Sequence, residues 1–449
     1  NGGGDCGTPG NANVIQLGRD MIASIDNVGS CGGSCGVDEF VLTINPADFN
    51  PAGDTLRIVM YNSNGNYSDH FIYGIWSTAR SADVQSELKY LTYTNFLNME
   101  SGRGGMNWSY FKPNGNPTQL NGDWDWLWFF YDYDQSEQKV RDSLTTWTDW
   151  LWDDVGIRGL RMDAVKHFPP SYVGDLMDHL YDTGRIPDMV VGEFYDGNPS
   201  LLANWTNQVM ASMNPATINA IKVRAFDFAL RQSLKDACDA FGYDVRNVFN
   251  SGMVRASGSN AFNVVTFVNN HDFRDAGQPV QNTPLLAYAY ILTNNQLGLP
   301  CVYYPDYYGT PIANAPATYM KPDIDKLMKV HKQNIFGATA TDNLSRFGTP
   351  YAQSFGGGYA STTLMYQIGG TPSGKDVVVA INFAGGNDTL KLDQGVNTSG
   401  GAYHLSTGDT LMDVLKRSKF PYAIVDFLGR MYVQLPPRSY SVWVECSVP

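Results

Sequence analysis

"GIRGLRMDAVKHFPPSYVGDLMDHLYDTGRIPDMVVGEF", Gly156 to Phe194, is the stretch on which the fold turns. It opens as a strand, with Ile157, Leu160 and Met162 among small residues. Val173, Leu176, Met177 and Leu180 then recur at helical spacing, and "DMVVGEF" comes next as a second apolar strand. Strand, helix, strand with both strands apolar predicts a parallel pair covered by the helix between them. The first strand also ends in an unusual way. Arg161, Asp163, Lys166 and His167 fall within seven positions, although an unpaired buried charge is costly.

The same rhythm extends outward from this unit. Upstream, Val140, Leu144, Trp147 and Leu151 predict a helix. Downstream, "KVRAFDFAL", "FNVVTFVNN" and "GLPCVYY" read as further strands with helical sequence between them. Five barrel-type strands are thus expected over residues 136–337. From about 338 the helices stop, and "KDVVVAINFAG", "DTLKL", "RMYVQLPP" and "YSVWVEC" predict an all-β domain over 338–449. Its alternating strands need a partner sheet, so an antiparallel sandwich is expected. Residues 1–135 read as a β-rich region, carried by segments such as "EFVLTI" and "DTLRIVMYN" between Pro, Asn and Gly turns.

Bulk properties narrow the class of partner. A chain of 449 residues predicts two or three domains. A net charge of −13 argues against nucleic acid and anionic membranes. No run approaches the eighteen apolar residues of a membrane span. The opening "NGGGDCGTPG" has no basic–apolar–small leader and reads as a processed or truncated end. Cys31 and Cys35 in "SCGGSCG" could close a loop, or one of them could bond Cys6; a disulfide there favours an exported, secreted protein. Cys238, Cys301 and Cys446 sit in apolar contexts and are expected as buried thiols.

In parallel sheets and barrels, chemistry collects at the carboxyl ends of the strands. Those ends supply Asp163 with Arg161 two residues before it, Glu193, and Asp272 next to His271. Each carboxylate taken alone reads equally well as a strand-end cap or an ion pair. Three at strand ends of one sheet, one with an arginine and one with a histidine, fit glycoside hydrolysis better. There an ionised carboxylate stabilises an oxocarbenium-like transition state while a protonated one serves the leaving oxygen.

These segments resemble the signature regions of the α-amylase family, glycoside hydrolase family 13. "GLRMDAVKH" is similar to its second region, "VVGE" to the third and "FVNNHD" to the fourth. "GLPCVYYPD", Gly298 to Asp306, resembles the segment on the last barrel strand, and "FYDYD", Phe130 to Asp134, the motif closing domain B. The resemblance covers about residues 95–449 and implies a TIM-type (β/α)8 barrel with a C-terminal β-sandwich. It makes Asp163 the nucleophile, Glu193 the general acid/base and Asp272 the transition-state stabiliser. Arg161 then orients the nucleophile, His271 binds the sugar at the cleavage point, and Lys166 and His167 contact the leaving-group side. It further implies calcium, held by the main chain of His167 and by Asp132, since loop oxygens suit that ion. The implied protein is a secreted, monomeric, endo-acting α-amylase on α-1,4-glucans.

The resemblance is incomplete. The family's first signature region and the first three barrel strands are not recognisable, and "NGGGD" reads like residues that lie directly after that region. One account has the polypeptide starting just past the third strand, with residues 1–135 as an enlarged domain B carrying a glucan-binding insert. A second makes the N-terminal region an independent sugar-binding module, and a third makes the barrel degenerate. A non-catalytic glucan-binding relative and a transglycosylase are the alternative functions.

Overall fold

The computed structural model describes residues 110–112, 132–311 and 318–446, all within one compact unit spanning residues 74–449. The N-terminal β segments, the glucan-binding insert and the cysteines at 6, 31 and 35 lie outside the described residues.

A short antiparallel pair comes first, β1 (Phe111–Lys112) with β2 (Asp132–Tyr133). The alternating part comes next: α1 (Gln138–Trp150), β3 (Gly159–Met162), α2 (Pro170–Asp182), β4 (Met189–Gly192), α3 (Pro199–Ser212), α4 (Pro215–Ala220) and β5 (Val223–Phe226). It continues with α5 (Phe228–Asp239), α6 (Gly252–Ser257), β6 (Val264–Thr266), α7 (Leu285–Thr293), β7 (Leu299–Pro300), α8 (Tyr304–Tyr308) and α9 (Lys321–Val330). Among the described residues β3 to β7 form one parallel sheet in which each strand bonds the next in chain order. A doubly wound sheet reverses its order partway; an unbroken sequence of neighbours is the wall of a barrel.

Local sequence explains where the helices start. α2, α3 and α4 each carry proline in the first turn, where its missing N–H costs nothing. The Asn198 side chain caps α3 by accepting from the Ser200 N–H, and Asp227 caps α5 by accepting from the Leu230 N–H. On α2 all four stripe residues, Val173, Leu176, Met177 and Leu180, are buried as expected. The stripe on α1 differs. Trp147 is exposed, the buried positions are Val140 and Thr148, and Leu144 packs half-buried against the core that holds the α2 stripe. Position 148 continues the 140–144 spacing in steps of four, which turns 147 away from the sheet.

The antiparallel part contains β8 (Ala340–Asp342), β9 (Gln353–Gly357), β10 (Thr363–Gly369), β11 (Val377–Asn382), β12 (Leu390–Gly395), β13 (Thr410–Asp413), β14 (Tyr422–Ile424), β15 (Arg430–Leu435) and β16 (Ser439–Cys446). One sheet has the order β14-β13-β16-β11-β10-β8 and the other β15-β12-β9. Met365, Val378, Leu392, Val433 and Trp443 fill the space between the two sheets. The opposite face of β10, β11 and β16, with Tyr366, Val379, Ile381 and Val442, packs on α7 and α9 in a single core. That is why β10 and β11 are buried along their whole length.

The expected three buried thiols are not all buried. Cys238 is, Cys446 is half-buried, and Cys301 is exposed. Cys301 directly succeeds β7, the edge strand of the described parallel sheet, so its apolar neighbours in sequence do not enclose it in space. No helix among the described residues is long and apolar enough to cross a membrane.

Candidate active site

The carboxyl ends of β3 and β4 bring together the first group of predicted residues. Arg161 lies on β3, and its guanidinium is shared by two carboxylates: one nitrogen bonds Asp163 Oδ1, and Nη2 lies 3.2 Å from Glu193 Oε2. The two acids differ in surroundings. The Asp163 side chain is 65% exposed, whereas that of Glu193 is 8% exposed.

Glu193 is held by the backbone as well. Its N–H donates to the Met162 carbonyl (2.8 Å) and its carbonyl accepts from the Val165 N–H (3.0 Å). Between these, Ala164 adopts the left-handed conformation, at φ 48°, and its N–H points at Glu193 Oε2 from 3.4 Å. Non-glycine residues rarely hold that conformation without a reason; here it folds the chain after Asp163 over the acid. On the other side, Gly192 lies against the buried Trp205 ring. A Cβ at that position would meet the ring at 2.2 Å, so any larger residue would push β4, and Glu193 with it, off the sheet.

Burial drives the Glu193 carboxyl up to about 7. The Arg161 cation and the Ala164 N–H oppose that rise, and the negative charges of Asp163 and Asp272 add to it. Asp272, from the loop after β6, is thus near enough to act on Glu193 electrostatically. Two side chains of its own loop flank it: His271 Nε2 lies 3.4 Å from Asp272 Oδ2, and Arg274 Nη2 lies 3.9 Å from Oδ1. The Asn270 side chain fixes the local turn by accepting from the Asp272 N–H (3.1 Å).

Lys166 donates to the Tyr195 carbonyl (2.8 Å) and lies over the Tyr195 ring. Burial pulls its ammonium below the ordinary lysine value, against the opposing pull of Asp196 and Glu193. His167 is buried in a 3-10 turn, unlike the exposed His271. The structure thus collects Arg161, Asp163, Lys166, Glu193, His271 and Asp272 around one sheet end.

Two features of the site were not legible in sequence. Tyr195 is exposed beside Glu193, its ring edge-on to Phe228 at 5.0 Å. Asn269 donates to the buried Asp306 (3.0 Å) and accepts from the Val280 N–H (3.0 Å). Tyr288 also donates to Asp306, at 2.7 Å, so the end of the last strand is tied to the loop bearing Asp272. An asparagine next to Asn270 gives no signal of its own; only the buried acid it reaches reveals it.

The calcium expectation meets only part of a ligand set. The backbone of Asp132 pairs with Lys112, but the Asp132 side chain lies outside the described part. Asp134 of the same motif is buried and accepts from the Ser136 N–H (3.0 Å). Among the described residues no group of three or more His, Cys, Asp or Glu is placed to hold a metal, and a calcium cage takes six to eight oxygens. The described donors alone do not fit the ion.

Comparison with known proteins agrees with this picture. No family model matches the chain. It is 33% identical over 208 residues to the glucan 1,4-alpha-maltohexaosidase of Bacillus sp. (strain 707), covering 44% of this chain and 36% of that protein. It is 33% identical over 206 residues to the α-amylase of Geobacillus stearothermophilus, covering 44% and 34%. To the cytoplasmic α-amylase of Escherichia coli (strain K12) it is 30% identical over 179 residues, covering 38% and 32%. These matches span about a third of the length of the curated relatives. Among solved structures, an Anoxybacillus α-amylase superposes with a TM-score of 0.51 at 18% identity, covering 72% of this chain and 66% of that one. A cyclomaltodextrin glucanotransferase superposes with a TM-score of 0.51 at 21% identity, covering 76% and 67%. The fold is the one these enzymes share, a TIM-type barrel with an antiparallel C-terminal domain.

Proposed function

We propose that this chain belongs to the α-amylase superfamily and hydrolyses α-1,4-glucosidic bonds of starch- and glycogen-type glucans with retention of configuration. The observation that carries the reading is one guanidinium, Arg161, shared by an exposed carboxylate, Asp163, and a buried carboxyl at about 7, Glu193. Two acids in environments this different suit two different roles in one reaction.

In the proposed sequence Asp163 attacks the anomeric carbon. The bond from that carbon to the glycosidic oxygen breaks as Glu193 gives its proton to the departing oxygen. A glycosyl ester on Asp163 results. Water then attacks the same carbon, passes a proton to the ionised Glu193 and releases Asp163. Direct displacement by Asp163 needs the two carboxyl groups about 5–5.5 Å apart, and a shared arginine favours such closeness. Asp272 faces the positive charge that develops on the ring, with His271 beside it to hold the sugar. Lys166 and His167 are assigned to the leaving-group side. Endo-action, secretion and a monomeric state belong to the same proposal, as does a structural calcium ion whose ligands would have to come in part from residues outside the described ones; the cysteine spacing supports export.

Reducing-end release from soluble starch by the full chain tests it, with product anomers followed by NMR and product length by chromatography. Initial α anomers of short linear glucans are expected. Initial β anomers would refute the double displacement, cyclic or lengthened products would make the enzyme a transglycosylase, and binding without release would make it a glucan-binding relative.

A further inference from the structure

We infer that Arg231 is the positioning residue of this site: its guanidinium clamps the loop that carries His271 and Asp272. The loop runs from the end of β6 to the start of α7 without regular strand or helix. A segment of that length usually needs ties to hold one conformation, and a transition-state stabiliser has to be held to a fraction of an ångström.

Arg231 lies on α5 and is 4% exposed. Its Nε donates to the Val268 carbonyl at 3.0 Å, and Nη2 donates to the Gln278 carbonyl. These acceptors flank Asp272 on both sides in the chain. The guanidinium carbon lies 3.6 Å from the centre of the Phe273 ring, the residue after Asp272. One planar group thus grips both arms of the loop and stacks on its apex. The fork geometry is specific to arginine; an ammonium offers neither two parallel donors nor a flat face.

Other contacts show that the tip is built as a unit. The Gln278 side chain accepts from the Arg274 and Asp275 N–H groups (3.0 and 2.9 Å). Phe273 stacks parallel to Phe267, with centroids 6.3 Å apart. Phe228 and Tyr195 also pack on these rings from outside the loop, but Arg231 reaches both of its arms at once, and its charge is met by carbonyl oxygens and a ring face. No ion pair to a carboxylate holds it among the described residues. Asp239 and Asp236 act on it electrostatically but neither pairs with it, and a cation buried without such a pair is expensive, which argues that the clamp is what it is there for.

The inference rests on the proposed reaction for its effect on turnover, but not for the clamp itself. The experiment compares Arg231→Met and Arg231→Lys with the parent in the full chain. Hydrogen exchange is followed in peptides covering 268–280, 189–193 and 223–226, and kcat and KM are measured on soluble starch. In Arg231→Met, exchange over 268–280 should quicken at least about tenfold while the strand peptides stay as in the parent. kcat should fall by roughly 10²-fold, the scale of an ångström's misplacement, with KM changed far less. Arg231→Lys, which keeps the charge and one bond, should fall between; it also carries the test if the methionine variant does not fold. Exchange over 268–280 that matches the parent in both variants, or that quickens equally in the strand peptides, would overturn the inference. Should the parent fail to cleave starch, the proposed function falls while the exchange comparison still decides the clamp.

Discussion

Arg161 holds a nitrogen 3.2 Å from Glu193 Oε2, and burial still lifts the Glu193 carboxyl to about 7. The cation restrains the acid without ionising it, because the loss of water around the carboxylate costs more than the contact returns. As the proposed proton donor, Glu193 acts in its protonated form. kcat/KM on starch should therefore fall as pH rises through about 7. Arg161→Met removes the influence that lowers this carboxyl, so the basic limb should move to higher pH even as turnover drops. A pH–rate profile with the limb unmoved, or moved to lower pH, contradicts the assignment.

The same group links stability to pH. Its folded value of about 7 lies above the 4.5 of an ordinary glutamate, so between those values the folded chain binds more protons than the unfolded one. The contribution is fully present below pH 4.5 and is lost as pH rises through about 7. Glu193→Gln cannot titrate. Relative to that variant the parent should lose on the order of 1–3 kcal/mol between about pH 4.5 and 8, read from urea unfolding at a series of pH values. A difference that stays constant with pH would show that the carboxyl is not perturbed.

Catalytically, Glu193→Gln keeps shape and hydrogen bonding but removes the proton. Turnover of starch should drop by at least about 10²–10⁴-fold, the usual contribution of general acid–base catalysis. An aryl glycoside with a very acidic leaving group needs little protonation, so formation of its glycosyl-enzyme should suffer less. Asp163→Asn should abolish both reactions. Near-normal starch hydrolysis by the glutamine variant would break the assignment of all three carboxylates.

Ala164 offers a backbone test. Its φ of 48° suits glycine and disfavours a β-branched side chain. Ala164→Val should cost about 1–3 kcal/mol in unfolding free energy and displace the N–H that points at Glu193, whereas Ala164→Gly should change stability by less than about 1 kcal/mol. Equal melting temperatures for the two variants would mean that the turn relaxes freely.

Legibility in the sequence tracked periodicity and charge. Strands β3, β4, β5 and β6 could be read because apolar runs alternate with helical spacing, and Asp163, Glu193 and Asp272 because each ends such a run. Trp147 misled because a large apolar ring at a near-helical position passes for core, while Thr148, small and polar, takes the buried place. Cys301 misled because its sequence neighbours are apolar but it comes directly after an edge strand. Asn269, Tyr195 and Arg231 carry no pattern: their meaning lies in partners 37, 29 and 37 positions away or more, such as Asp306, Lys166 and Val268.

The packing of α7 has a consequence for biosynthesis. Every residue from Leu286 to Thr293 is buried, and the cover on its outer side includes Tyr366, whose hydroxyl lies 2.6 Å from Thr293 Oγ1, and Val442 on β16. A helix of the barrel wall thus has no face of its own for water. Until β16, Ser439–Cys446, has been synthesised, this stretch lacks part of the cover it has in the finished fold. Burial of α7 is therefore complete only once β10, β11 and β16 have been made. The C-terminal sheet is thus part of the barrel's own core, and a chain cut before β16 should lose the cover of α7 as well as a strand.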